Sequence, residues 1–451
     1  MRSESVMVCN LSAPEINRLG VELARRGVLQ SYVRPYANMQ RWWERGLARA
    51  PGVGSLYERT LGRRLPPAGL PLEKVIEAGV AQDFAAAGVG RLPFTPTEWR
   101  RRKTHELIFA AEREVARKAG TRVQGASIVV ASYGTGRFAF EAVQRAGGRA
   151  VLSYPIAHNR YQARLYAEEA EAAPEFAAAL PRMEWLPPEY SQRLEEECAM
   201  ADRIIVGSSF VRQSFVELGY DASRIAITPY GADTERFTPR AEPRRDGVFR
   251  AVFVGQIGQR KGMSYLLQGY EKFRRADCEL HVVGSYAPGH EVYARYSGLY
   301  RHTPHVLQKD LPSLFREADV FVFPSLIEGM PLVVLEAMAC GLPVITTTHG
   351  PGDIVRDGVD GFFVPIRDSE AIAERLERLY RDPSLREQMG RNAREQALRY
   401  TWQAYAQCAA DAVLTTPSRP DRYSGQVASP GTRPQPRTDG SCRSGAAEEY
   451  C

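Results

Sequence analysis

The sequence predicts an α/β protein of two domains, each a parallel sheet flanked by helices. Three observations lead there. The chain has 451 residues, about three times the length of an ordinary domain. Short β-rich runs alternate with helix-like stretches, the order that parallel sheets require. The alternation also starts afresh after TPYGADTERFTPRAEPRRDG, a segment rich in Pro, Gly and charge that reads as a linker near residues 230–246.

In the first half, SVMVCNLS reads as a strand. It leads into EINRLGVELARRG, where Ile16, Leu19 and Leu23 share one helical face. Residues 40–105 are less regular, broken by Pro51, Pro66, Pro67, Pro71 and Pro93. ASIVVASYG, GRAVLSYPI and ADRIIVGSS follow, each of strand length and each running into helix-like sequence. In the second half FRAVFVG, CELHVVG, DVFVFPS and LPVITT read as strands, with MSYLLQGYEKFRR, DLPSLFREA and PLVVLEAMACG as helices between them. Residues 368–414 read as helical. From Thr416 onward nine of 36 residues are Pro or Gly, too few large apolar groups remain to offset ordering entropy, and residues 416–451 read as a disordered tail. The domain bounds expected are 1–230 and 231–395.

Composition narrows the class. With 44% hydrophobic and 25% charged residues, the chain can bury a large core and stay soluble. It has no apolar run of membrane-spanning length, and MRSESVMVCNLS lacks the regions of a secretory leader. Seven scattered cysteines form no CxxC pair, which argues for a reducing, cytoplasmic compartment and against a disulfide framework or zinc site. The net charge is +6, yet residues 1–120 hold 20 Lys/Arg against 12 Asp/Glu. That local excess suits an anionic partner, such as a membrane surface, a charged lipid or a phosphorylated acceptor, or else a solvated arginine-rich surface. Trp42 and Trp43 beside Arg41, Arg45 and Arg49, with the run RRRK at 100–103, suit a peripheral seat on the inner face of a membrane as well as they suit core packing. No recognised nucleic-acid motif accompanies the charge, so nucleic acid is not an expected partner.

The most informative segment is VFVFPSLIEGMPLVVLEAMACGLPVI. A strand ending at Pro324–Ser325 runs through a short loop into a helix, with Pro331 in its first turn and Gly341 as its stop. The backbone N–H groups of Gly329, Met330 and Leu332, on either side of Pro331, open that helix and form an anion site. Glu328 precedes the helix and Glu336 lies just over one turn inside it, so an acid flanks each side of a bound phosphate. Carboxylates accept hydrogen bonds from vicinal hydroxyls; Glu336 suits a ribose and Glu328 a sugar beyond the phosphates. The second constellation is VGQIGQRKG. A strand ends at Gly255, and Arg260 and Lys261 then open a helix, an electrostatically costly pairing that a diphosphate would relieve.

These features resemble the retaining glycosyltransferases of family 4, which have the GT-B fold. The resemblance rests on the Glu328/Glu336 segment, VGQIGQRKG, TPYGADTERF, RDGVDGFFVP and the late helix containing Thr401–Trp402, and covers roughly residues 200–410. It implies two Rossmann-like domains facing across a cleft, the donor on the second, the acceptor on the first, and a helix at 396–415 returning to the first domain. It also implies that Lys261 contacts the donor phosphates, Glu328 the sugar hydroxyls and Glu336 the ribose, and that His158 in VLSYPIAHNRYQ lies close to the transferred sugar. The family's arginine directly after the first glycine is here Gln256, and its glycine-rich first loop is replaced by LSAPEIN. GTGRFA at 134–139 fits a dinucleotide fingerprint but lacks the following acid, so it reads as a tight strand-to-helix turn facing the cleft. There is no D-x-D triplet, so neither a metal nor another cofactor is expected. The function expected is transfer of a sugar from a nucleoside diphosphate sugar to a hydroxyl of a saccharide, lipid-linked or small-molecule acceptor. The alternatives are a nucleotide-sugar-binding protein without turnover, or an epimerase or phosphorylase of the same fold.

Overall fold

A computed structural model describes residues 4–417, except 12, 53, 61, 63, 90–96, 183–187, 243 and 245. The tail expected from Thr416 onward thus lies almost wholly outside the described residues. The first sheet is formed by β1 (Val6–Cys9), β2 (Leu29–Arg34), β3 (Val75–Glu77), β4 (Ile128–Ser132), β5 (Arg149–Tyr154), β6 (Arg203–Val206) and β7 (Ile225–Ile227). Its order is β3-β2-β1-β4-β5-β6-β7, every pairing parallel. The central strands are apolar runs, VMVC and IVVAS, buried at every position, as expected of parallel strands covered on both faces.

The second sheet repeats the plan. Strands β8 (Phe249–Val254), β9 (Cys278–Val283), β10 (Arg301–Thr303), β11 (Val320–Phe323), β12 (Val344–Thr346) and β13 (Gly361–Phe363) run in the order β10-β9-β8-β11-β12-β13. All are parallel, and Val320 and Phe321 of β11 face Ala251 and Val252 of β8. Both sheets reverse strand order once, between β1 and β4 and between β8 and β11. These are two Rossmann-like sheets, and the segment read as irregular at 40–105 holds helices at Trp42–Arg49, Gly54–Thr60 and Val80–Val89, with a fourth of 24 residues beginning there at Thr97–Gly120.

The chain passes between the sheets twice, and the two passages are bonded to each other. Ala232 bridges Thr401 in parallel, with the Ala232 N–H on the Tyr400 carbonyl at 3.0 Å. The Thr401 hydroxyl then accepts from the Ala404 N–H at 3.1 Å and caps the last helix, Trp402–Leu414. That helix packs on the first-domain helix Pro14–Arg25. Arg18 lies over the Trp402 ring at 5.6 Å, and Arg26 pairs with Asp411 and the Gln407 carbonyl. At its end, Arg149 Nη1 donates to the Leu414 and Thr416 carbonyls, placing a cation where helix carbonyls lack partners. The buried face of this helix is Tyr405, Ala406, Ala409, Ala410 and Val413. Tyr405→Ala would leave a cavity there and is expected to cost about 3 kcal/mol, read as a lower urea midpoint at unchanged slope.

Candidate functional site

Open parallel sheets bind ligands beyond the carboxyl ends of strands where the strand order reverses. In the second sheet that place lies after β8 and β11. After β8 the chain passes Gly255, whose N–H bonds the Val283 carbonyl at 2.9 Å, then makes a tight turn at Gln259–Lys261 before the helix Met263–Phe273. The two cations thus sit in a separate turn ahead of the helix rather than in its first turn. Gly262 joins them at φ +69, with the Pro324 carbonyl oxygen 1.9 Å from where a Cβ would stand. A side chain there is excluded both by conformation and by space. After β11 the loop 324–331 is bonded to the same turn: the Leu326 N–H and the Ser325 hydroxyl both donate to the Arg260 carbonyl, at 2.9 and 3.1 Å.

Side chains complete that junction. Glu328 Oε1 lies 2.6 Å from Lys261 Nζ, 2.7 Å from Arg260 Nη1 and 2.7 Å from the Ser325 hydroxyl. Lys261 also stands 4.7 Å from the Phe323 ring centre, a favourable place for an ammonium. The cation pair that called for an anion therefore has one, supplied by the protein. Glu328 is 7% exposed. Burial pushes its carboxyl up, but Lys261 and Arg260 outweigh burial and hold it below the ordinary value. Burial pulls the Lys261 ammonium down to about 8, Glu328 opposing and Arg260 adding to the fall. Two cations against one carboxylate leave the junction with a surplus of positive charge.

The helix that follows, Leu332–Ala339, has Pro331 at its N-cap, just outside the first turn where the sequence put it. Gly341, at φ +77, ends it. Gly329 abuts the first domain, with the Pro155 carbonyl oxygen 1.6 Å from a would-be Cβ, and its own carbonyl accepts from the Ser208 hydroxyl at 2.6 Å. Met330 Sδ receives the Tyr230 N–H at 2.8 Å. Glu336 has partners different from those of Glu328. Burial raises its carboxyl to about 7, partly offset by a hydrogen bond from Gln308, with Arg236 and Asp233 as charged neighbours. Gln256 is exposed on the loop after β8, and Arg260 supplies the second cation of the cluster.

His158 is placed differently from a group open to a bound sugar. It is fully buried and caps the helix Asn159–Ala172, its Nδ1 accepting from the Arg160 N–H at 3.2 Å. Its Nε2 faces the Tyr220 hydroxyl at 3.3 Å and Glu195 at 3.6 Å. Rings of Tyr154, Phe215 and Tyr220 surround it, and burial first, then Arg160, lowers it to about 4. Sequence reasoning also missed who fills the GTGRFA turn. Glu197 accepts there from the N–H groups of Gly134, Gly136 and Arg137 at 2.6, 2.8 and 3.1 Å, so a carboxylate of the chain occupies the nest a phosphate would use. After β1, Asn10 takes the part of the absent glycines, its side chain bonding Ala13, Asn17 and Tyr32. Among the described residues no three His, Cys, Asp or Glu side chains are grouped to hold a metal ion, and no helix is long and apolar enough to cross a membrane.

Known proteins resemble this chain in sequence and in fold. Residues 249–382 match the family described as Glycosyl transferases group 1. A D-inositol 3-phosphate glycosyltransferase of Paenarthrobacter aurescens (strain TC1) is 33% identical over 242 residues, 49% of this chain and 59% of the relative. One of Corynebacterium jeikeium (strain K411) is 35% identical over 234 residues, 46% and 56% of the two chains. The matches thus span somewhat more than half the length of these relatives. Among solved structures, sucrose-phosphate synthase from Thermosynechococcus elongatus superposes with TM-score 0.59 at 20% identity over 91% of this chain and 98% of that one. Anabaena Alr3699/HepE in complex with UDP gives 0.57 at 15% identity over 91% and 100%. The fold is GT-B.

Removing one partner of a buried ion pair costs about 3 kcal/mol or more, so Glu328→Ala should lower the melting temperature. Its stranded cations should then take an external anion. Pyrophosphate is expected to restore more of the melting temperature in Glu328→Ala than it adds to the wild type.

Proposed function

With a glycosyl transferases group 1 domain over residues 249–382 on a GT-B frame, we propose that this chain transfers a sugar from a nucleoside diphosphate sugar to a hydroxyl acceptor. The observation that carries the reading is the Arg260–Lys261–Glu328 junction at the strand-order reversal of the second sheet. The diphosphate would take the two cations and the first N–H groups of the helix Leu332–Ala339, releasing Glu328 to accept from sugar hydroxyls, while Glu336 receives the ribose. UDP is the first carrier to test, since a structural neighbour is described as a UDP complex.

The chemistry assigned is transfer with retention. The acceptor oxygen bonds to the anomeric carbon on the face that the diphosphate leaves, the bond from that carbon to the phosphate oxygen breaks, and the acceptor's proton passes to the departing phosphate oxygen. Arg260 and Lys261 stabilise the charge that develops there, so the reading calls for no metal. His158, with both nitrogens engaged, is given the task of fixing the loop after β5 rather than touching the sugar. The acceptor is a saccharide, a lipid-linked glycan or a small polyol, met by the first domain. Trp42, 81% exposed, and Trp99, Leu47 and Leu65 lie outward on that domain with Arg45, Arg49, Arg102 and Lys103. This mixture supports a peripheral seat on an anionic cytoplasmic membrane face.

A thermal-shift screen across UDP-, GDP- and ADP-sugars identifies the donor, since a ligand of the native state raises its melting temperature. Release of free nucleoside diphosphate, lost in Lys261→Ala and Glu328→Ala, is the expected result. Binding without release would indicate a carrier protein, and dependence on inorganic phosphate a phosphorylase. The pH profile is a further check. Lys261 loses its charge in the free protein near pH 8, so kcat/KM for the donor should fall above about pH 8. In Lys261→Arg, whose guanidinium stays charged, that alkaline fall should disappear; its persistence would clear Lys261 of the titration.

A further inference from the structure

The helix Asn159–Ala172 follows β5 and belongs to the first domain, yet its Glu169 ends among side chains of the second. Glu169 is fully buried. Its Oε1 accepts from Gln259 Nε2 at 2.7 Å and from the Tyr265 hydroxyl at 2.9 Å, and its Oε2 from Arg367 Nε at 2.7 Å. All three donors come from the second domain, and one is charged, so the carboxylate is matched by short, charge-assisted bonds.

Gln259 is the residue before Arg260 in the cation-bearing turn. Its amide is committed on both ends: Nε2 also donates to the Ser264 hydroxyl at 2.6 Å, and Oε1 accepts from the Tyr293 hydroxyl at 3.0 Å. The turn therefore cannot rotate without breaking a bond to Glu169. Arg367 sits at φ +65, a left-handed conformation that a non-glycine residue keeps only where its surroundings hold it, and Glu169 is one such hold. The contact continues through the short helical segment Pro174–Ala179, where Phe176 stacks on Tyr293 at 5.7 Å and lies under Arg295 at 4.8 Å.

We propose that Glu169 is a positioning residue for donor binding. A carboxylate carried by the acceptor-side domain sets the turn that presents Arg260 and Lys261, so these cations are fully arranged for phosphate only while the two domains are engaged. This rests on the reading of the site given above. Such coupling ties tight holding of the donor to the presence of the acceptor domain and so limits transfer of the sugar to water.

The test compares the full chain with Glu169→Gln and Glu169→Ala by amide hydrogen exchange without ligand, and by calorimetric titration with UDP. Peptides spanning 255–266 should exchange roughly tenfold faster in both variants, and UDP should bind roughly tenfold more weakly, while β4 and β5 stay protected. On a Lys261→Ala background the same substitutions should have a much smaller effect on UDP affinity. A purely structural role would instead loosen 159–180 and leave both the turn and UDP affinity unchanged, and that result overturns the proposal. Glu169→Gln preserves size and keeps the test decisive if Glu169→Ala does not fold. If the turn loosens but even the wild type binds no UDP, GDP or ADP, the reading of the site fails while the positioning stands.

Discussion

The junction in which Glu328 meets Lys261, Arg260 and Ser325 is the constraint that organises the ligand-facing edge of the second sheet. Taking three charges out of water is expensive, and the cost is offset where the Leu326 N–H bonds the Arg260 carbonyl and the Ser325 hydroxyl lies against both that carbonyl and Glu328, holding the two loops together. Gly262 makes that approach possible, since a side chain there would collide with the Pro324 carbonyl, while Gly329 lets the same loop lie against the Pro155 carbonyl of the first domain. Under the proposed function, an internal carboxylate holds the place that the donor diphosphate would take. It pairs with both cations within the protein itself.

Much of this was legible beforehand because it is local in sequence. A strand ending in a loop, a helix start and an acid at fixed spacing are all read within one segment, and the parallel architecture follows from apolar strands alternating with helices. What escaped the reading has physical causes. β3, β10 and β13 are three-residue sheet edges, too short to show a period. The helix Thr97–Gly120 is strongly charged and weakly amphipathic, so its apolar repeat is faint. Glu197 reaches the Gly134 turn from some sixty positions away, and no spacing rule announces such a partner. His158 was read from its place after a strand, but its burial by Tyr154, Phe215 and Tyr220 depends on tertiary packing.

The first domain solves the same geometric problem with different chemistry. Where its sheet reverses order, between β1 and β4, two potential anion sites face the ligand side. One loop is shaped by the side-chain amide of Asn10, the other is filled by the Glu197 carboxylate. The Glu197 carboxylate thus takes the N–H groups of the turn after β4, which suits the proposed division in which the second domain grips the charged carrier and the first meets a hydroxyl.

The paired passages at Ala232 and Thr401 carry a mechanical consequence. A single tether would let the halves swivel freely about it. Two passages bridged side by side would resist twisting and sliding, leaving mainly a swing about the axis they define. Any opening of the halves would then follow one arc and return the same side chains to the same opposing surface.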